Sequence, residues 1–111
     1  EQLAPLRLAY LHVIEGETGG DRAPASAKPF DYEALRRRST AAWMLNNGYS
    51  RDQAMEAIAA GQADLVAFGR PFISNPDLVR RLRDDAPFNE LRADKLYGGG
   101  AEGYTDYPAL A

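Results

Sequence analysis

The stretch "ADLVAFGRPFISNP", Ala63 to Pro76, decides how this chain is read. Asp64 to Phe68 is apolar after its first residue, which suits a strand covered on both faces. Gly69 and Arg70 stand where that strand ends. Asn75-Pro76 then reads as a cap followed by proline at the first helical position, where its missing N–H costs nothing. Leu78, Val79 and Leu82 form the apolar face of the predicted helix, and Arg80, Arg81 and Arg83 its wet face. A strand passing into a helix through Gly-Arg asks what a fixed positive charge does at that corner.

Two similar units lie upstream. Leu8 to Ile14 reads as a strand, and Glu15 to Pro29, rich in Gly, Pro, Ala and charge, as a long loop. Phe30 to Arg38 reads as a short helix that Asp31 caps. Ala42 to Leu45 is a second strand, ended by Asn46-Asn47-Gly48. Ser50 and Gln53 have the spacing of a capping box. Their helix runs to about Ala60, with Ala54, Met55 and Ile58 on its buried side, and Gly61 closes it in the left-handed conformation. Beyond Asp85 the pattern gives way to an irregular tail, 85–111. Strands alternating with helices predict an α/β fold with a parallel sheet.

The 111 residues suit one domain. Thirteen basic and sixteen acidic residues give a net charge of −3, too mild and too mixed for a nucleic-acid binder. Cysteine is absent, which removes disulfides, thiolate nucleophiles and cysteine-held metals, and no metal site is expected. No apolar run approaches the roughly 20 residues of a membrane helix. A cytoplasmic protein is expected, with no membrane partner. The opening Glu1-Gln2-Leu3, without methionine or a signal-peptide pattern, reads as a chain that begins within something longer.

Parallel sheets bind ligands at the carboxyl ends of their strands. That rule points to Glu15–Asp21, Asn46–Tyr49 and Gly69–Phe72. Asn46-Asn47-Gly48 leads into a helix start, where free N–H groups favour a phosphate. Gly69 offers close backbone approach, and Arg70 a planar fork for phosphate oxygens. Plainer readings stand beside these. Arg70 can be a salt-bridging surface residue, and Asn-Asn-Gly only a turn. His12, the sole histidine, reads as a packed or hydrogen-bonded barrel residue, Trp43 as core, and Arg36-Arg37-Arg38 as a solvated helix end. Tyr97-Gly-Gly-Gly100 can be a loose tail; it lacks the Lys-Ser/Thr and preceding strand of a nucleotide-triphosphatase loop.

"ADLVAFGRPFISNPDLVRRL" (63–82) and "YGGGAEGYTDYP" (97–108) together resemble the C-terminal end of the old yellow enzyme family. These are FMN-dependent ene reductases, including N-ethylmaleimide and xenobiotic reductases. "LAYLHVIEG" (8–16) and "LNNGYSRDQAMEAI" (45–58) resemble the two preceding units. The resemblance implies that residues 1–111 are the C-terminal part of one (β/α)8 barrel domain, its last three βα units, strands six to eight. It implies FMN at the barrel mouth, NADPH or NADH as reductant, and an activated alkene such as an enone or maleimide as the small-molecule substrate. On it, Gly69 and Arg70 match the pair at the FMN phosphate, and Asn46 the asparagine after strand seven. Asn47 and Gly48 stand where the family has Gly-Gly, so Asn47 is a departure. Tyr97 matches the aromatic that closes over flavin and substrate, and Glu15–Gly20 a substrate-side loop.

A barrel of this kind needs about 250 residues. The family's flavin-tuning strand-one residue, its ring-contacting glutamine, its carbonyl-gripping histidine pair and its strand-five arginine belong to earlier strands, and this sequence has none of them. His12, in strand six, cannot replace the pair, so no catalytic residue is assigned here. Two functions follow. One is an oxidoreductase portion completed by a missing N-terminal barrel half; the other is a non-catalytic, self-associating barrel fragment. A phosphate-binding barrel of other chemistry, such as a sugar-phosphate isomerase, is opposed by Tyr97–Pro108.

Overall fold

The computed structural model describes residues 4–16, 30–98 and 100–111. Most of the long loop expected over Glu15–Pro29 lies outside them, including its substrate-side portion beyond Gly16. The chain divides into two compact units, Glu1–Ala67 and Phe68–Ala111.

The first unit is built on three parallel strands in the order β1-β2-β3. They are β1 Tyr10–Ile14, β2 Ala42–Asn46 and β3 Leu65–Val66. Leu11 is aligned with Trp43 and Val13 with Leu45; Met44 is aligned with both His12 and Leu65. Side chains alternate across a strand, so the sheet has two distinct faces. Trp43 and Leu45 are buried on one of them. Tyr10, His12, Ile14 and Leu65 are exposed on the other. The third strand is shorter than its apolar run, though its hydrogen bonding continues from Ala67 N–H to the Leu45 carbonyl at 2.8 Å. Asp64, the polar residue opening that run, is paired: its carboxylate accepts the Trp43 N–H at 2.7 Å and meets Arg36 at 3.3 Å.

Helix α1, Tyr32–Arg36, begins as expected, with the Asp31 carboxylate accepting the Ala34 N–H at 2.8 Å. Its last residue is less solvated than an arginine run implies. Arg36 keeps only a quarter of its side chain exposed, pairs with Asp64, and leaves Nη1 buried with no hydrogen-bond partner. Helix α2, Arg51–Ala59, starts with the complete Ser50–Gln53 capping box. It ends on Gly61 at φ +69°. There the Gly61 N–H donates to the Ile58 carbonyl and the Gln62 N–H to the Ala57 carbonyl, the paired bonds that satisfy a helix end. The buried side differs from the expected one. Ala54 and Ala57 are buried, whereas Met55 and Ile58 are 56% and 43% exposed. Two alanines three residues apart make a smooth contact strip; the bulkier residues flank it.

The second unit holds α3 Arg70–Ser74, α4 Leu78–Asp84 and a 3-10 turn over Ala93–Lys95. The sequence predicts a helix that begins at Pro76, with Asn75 as its cap. Instead Asn75 ends α3 and is fully buried, with Nδ2 donating to the Pro71 carbonyl and Oδ1 accepting the Asn89 N–H, both at 2.7 Å. Its side chain is therefore a cross-link to the tail, and α4 begins two residues later than expected. The face of α4 also differs. Leu78 is buried as expected, but Val79 is 69% exposed and Arg81 is buried.

Arg81 is the centre of this unit. Nε donates to Asp77 Oδ1 at 2.7 Å, Nη2 to the Pro108 carbonyl at 2.9 Å, and Nη1 to the Pro87 carbonyl. Asp77 in turn accepts the Leu110 N–H at 2.8 Å. Residues 85–111 are thus irregular in hydrogen-bond pattern but tied to α3 and α4. A buried guanidinium requires this number of acceptors, since an unmatched charge away from water is costly.

Candidate functional site

The end of β2 is the first candidate region. Asn46 closes the strand, with Nδ2 3.1 Å from His12 Nε2 and Oδ1 accepting the Asn47 N–H at 2.6 Å. Asn47 is buried and left-handed, at φ +110°. A non-glycine residue there carries strain of about 1–3 kcal/mol. The side chain returns an interaction that glycine could not make, since Nδ2 donates to the Glu15 carbonyl. Tyr49, also buried, donates its hydroxyl to the Glu15 carboxylate. The Glu15 N–H donates to the Asn46 carbonyl at 3.2 Å. Asn46, Asn47 and Tyr49 therefore tie the end of β2 to Glu15, the residue that follows β1. Both the Asn47 N–H and its amide nitrogen donate within the protein. Gly48, exposed at φ +71°, is where the backbone of this segment faces outward.

The corner after β3 is the second region. Gly69 and Arg70 are exposed, and Arg70 is the first residue of α3. Gly69 has φ −99°, which any residue adopts, and a Cβ built on it meets nothing within 4 Å. Neither backbone conformation nor internal packing demands glycine there. Its missing side chain leaves open space at the residue that precedes Arg70.

Tyr97 is the third. It lies in the second unit and is 94% exposed, just beyond the Ala93–Lys95 turn. Arg92 and Asp106 flank its segment, fourteen residues apart, and form a two-pronged ion pair with Nη1 on Oδ2 at 2.9 Å and Nη2 on Oδ1. Asp106 Oδ1 also accepts the Gly103 N–H at 2.8 Å. The Arg92 guanidinium stacks 4.4 Å over the Tyr107 ring, while the Arg92 N–H donates to the Tyr107 hydroxyl at 2.9 Å. Arg92 beside it holds the Asp106 carboxyl below the usual carboxylate range, with help from the Gly103 N–H. The same pair raises Arg92 above its ordinary value.

The sequence places Arg81 on the wet face of its helix and assigns no role to Arg92 or Asp106, whereas Arg81 is buried. Asp77 four residues before Arg81 was a local sign of pairing. No spacing rule links Arg92 to Asp106. A cavity of about 460 Å³ also opens in the first unit, on the sheet face that carries Trp43 and Leu45 and beneath Arg36. It lies on the face opposite Asn46 and His12 and shares Glu15 with the region at the end of β2. Among the described residues there is no cluster of His, Asp and Glu suited to a metal. Among them, too, no helix is long and apolar enough to cross a membrane.

Comparison with known proteins places these features in a family. 12-Oxophytodienoate reductase 7 of Oryza sativa subsp. japonica is 41% identical over 112 residues, which cover 94% of this chain and 28% of that protein. 12-Oxophytodienoate reductase 2 of Arabidopsis thaliana is 36% identical over 99% of this chain and 29% of its own length. The old yellow enzyme from Trypanosoma cruzi superposes with a TM-score of 0.84 at 35% identity, covering 99% of this chain and 28% of that one. Morphinone reductase, solved elsewhere in complex with tetrahydroNAD, gives 0.83 at 38% identity over 99% of this chain and 28% of its own. The chain thus spans under a third of the length of these relatives, and the fold it shares with them is that of part of an old yellow enzyme barrel. FMN and a nicotinamide are the cofactors of that group. Residues 1–89 match the sequence model of the NADH:flavin oxidoreductase / NADH oxidase family, and the chain belongs to that family.

Proposed function

We propose that this chain is the FMN-phosphate-binding portion of an ene reductase, in which Arg70 grips the phosphate and Gly69 lets it approach. The observation that carries this reading is the corner after β3: a glycine that nothing inside the protein requires, next to an exposed guanidinium. A phosphate oxygen occupies space that a Cβ would fill, and a guanidinium offers it two parallel N–H bonds. Gly48 is a second outward-facing backbone at a strand end, and Asn46 fixes the turn that presents it.

On this reading β1, β2 and β3 are strands six, seven and eight of a barrel. The exposed face that carries Tyr10, His12, Ile14 and Leu65 is then its inner wall. The remaining strands come from an N-terminal barrel half. FMN, reduced by NADPH or NADH, supplies hydride for the β-carbon of an activated alkene such as an enone or maleimide. This chain's part is to anchor the phosphate and to offer the exposed Tyr97 ring to the substrate side. His12 is spent on Asn46, in keeping with a structural histidine.

The test is a flavin titration on the enzyme that carries this chain, wild type against Arg70→Ala. A charge-assisted hydrogen bond contributes roughly 1.5–3 kcal/mol, so FMN should bind about ten- to a hundredfold more weakly. Riboflavin, without the phosphate, should be unaffected. Arg70→Lys should restore part of the loss, because it keeps the charge without the fork. Equal weakening of both flavins would make Arg70 a structural residue and refute the assignment.

A further inference from the structure

We infer that Arg92, Gly103 and Asp106 form a lock that positions Tyr97, and that they tune alkene binding through it; the inference rests on the reading that Tyr97 faces the substrate. Tyr97 presents a contradiction that the lock resolves. At 94% exposure its ring gains almost nothing from packing, yet the backbone is tied before it, where the Lys95 N–H donates to the Arg92 carbonyl, and after it, where the Gly103 N–H donates to Asp106. Ordering a loop around an unpacked aromatic is unfavourable unless other contacts hold it or the ring meets something outside the chain.

The holding contacts are specific. Asp106 receives both prongs of Arg92 and the Gly103 N–H, so one carboxylate joins the two arms of the segment. Gly103 is buried at φ +75°, and a Cβ there would lie 2.4 Å from Lys95 Cβ. Lys95 precedes Tyr97 by two residues and ends the 3-10 turn, so it cannot yield without moving that turn. Glycine at 103 is therefore the condition for the two arms to touch. Tyr107 completes the clamp by stacking under Arg92 and accepting its N–H. A rigid frame around one outward aromatic is the arrangement that lowers the entropy cost of ligand contact.

The experiment uses the flavin-loaded enzyme with Tyr97→Ala, Asp106→Asn, Gly103→Ala and the double variant Tyr97→Ala/Asp106→Asn. FMN content, kcat and KM for two alkenes of different size are measured. Asp106→Asn and Gly103→Ala should each raise the alkene KM about tenfold and change the ratio between the two alkenes, with FMN content unchanged. The double variant should be no worse than Tyr97→Ala alone, because the lock acts through that ring. Amide exchange across residues 93–105 gives a readout that needs no turnover, and Asp106→Asn should speed it about tenfold or more. Arg92→Lys, which keeps one prong of the pair, should fall between wild type and Asp106→Asn in both exchange and KM. If Tyr97→Ala leaves all kinetics unchanged, the reading of Tyr97 fails and this inference with it. If Tyr97→Ala has its effect but Asp106→Asn has none, or adds to it in full, the lock alone is refuted.

Discussion

Replacing Arg81 with methionine tests the organisation of the 68–111 unit most directly. The side chain is 5% exposed, and its three nitrogens serve Asp77, Pro87 and Pro108. Methionine fills much of the stem's volume but donates nothing. After the change Asp77 retains the Leu110 N–H, and the Pro108 carbonyl retains the Asn89 amide at 2.8 Å. Three charge-assisted bonds at about 1.5–3 kcal/mol each would sum to roughly 4.5–9 kcal/mol, comparable to the whole stability of a typical domain. Relaxation and water entry reduce this, and removing one partner of a buried pair costs about 3–5 kcal/mol. That range is the expected loss for Arg81→Met.

Urea unfolding followed by far-UV circular dichroism measures it. The midpoint should fall while the slope stays constant. Arg81→Lys should recover less than half, since one ammonium cannot reach three acceptors pointing in different directions. A change within about 0.5 kcal/mol would mark a solvated surface arginine and refute the reasoning.

Two further outcomes are expected. The Asp77, Asp84 and Asp106 carboxyls all lie below their ordinary range, held there first by the hydrogen bonds from Arg81, Arg83 and Arg92 respectively. Depressed folded-state values give stability that is present above the unfolded value of about 4 and lost as pH falls through the folded values. Protection of backbone amides in 68–111 should thus be flat from pH 7 to about pH 5 after correction for intrinsic rate, then decline below about pH 4; a rise on acidification would contradict it. Separately, β1 pairs with no strand other than β2 among the described residues, and its Tyr10 and Ile14 are half exposed. Unpaired apolar edges recruit partners. A polypeptide of residues 1–111 prepared alone should self-associate at tens of micromolar in light scattering, and a monodisperse monomer would count against an open barrel edge.

The parts of this fold legible in sequence are those whose cause is local. Asp31, the Ser50–Gln53 box and Gly61 each act within four residues, and each makes the bond its residue type demands. Strands β1 and β2 were legible because apolar runs of that length have few alternatives, whereas β3 ends at Val66, short of the apolar run that announces it. What escaped was set at a distance. Arg81 looks solvated on any helical wheel; the carbonyls that bury it are six and twenty-seven residues away, at Pro87 and Pro108. Asn75 looks like a cap until Asn89 claims its carboxamide. Met55 and Ile58 look buried because size suggests it, whereas the contact strip uses alanines.

The candidate site divides along the same line. Gly69 and Arg70 stand out as candidates in the sequence because the carboxyl end of a parallel strand is where ligands bind, whatever the chemistry. Asn47 could be flagged as a departure, but its reason lies in the Glu15 carbonyl, thirty-two residues away. The frame around Tyr97 could not be found, because Gly103 is explained only by Lys95 standing where its Cβ would be. A glycine with φ −99° and empty space beside it, at 69, and a glycine with φ +75° and no space at all, at 103, look alike in sequence. On the proposed function the first leaves room for a molecule outside the chain, whereas the second is set by the chain itself. That difference is why Gly69→Ala should weaken FMN binding without loosening the tail, whereas Gly103→Ala should loosen the tail and leave FMN binding intact.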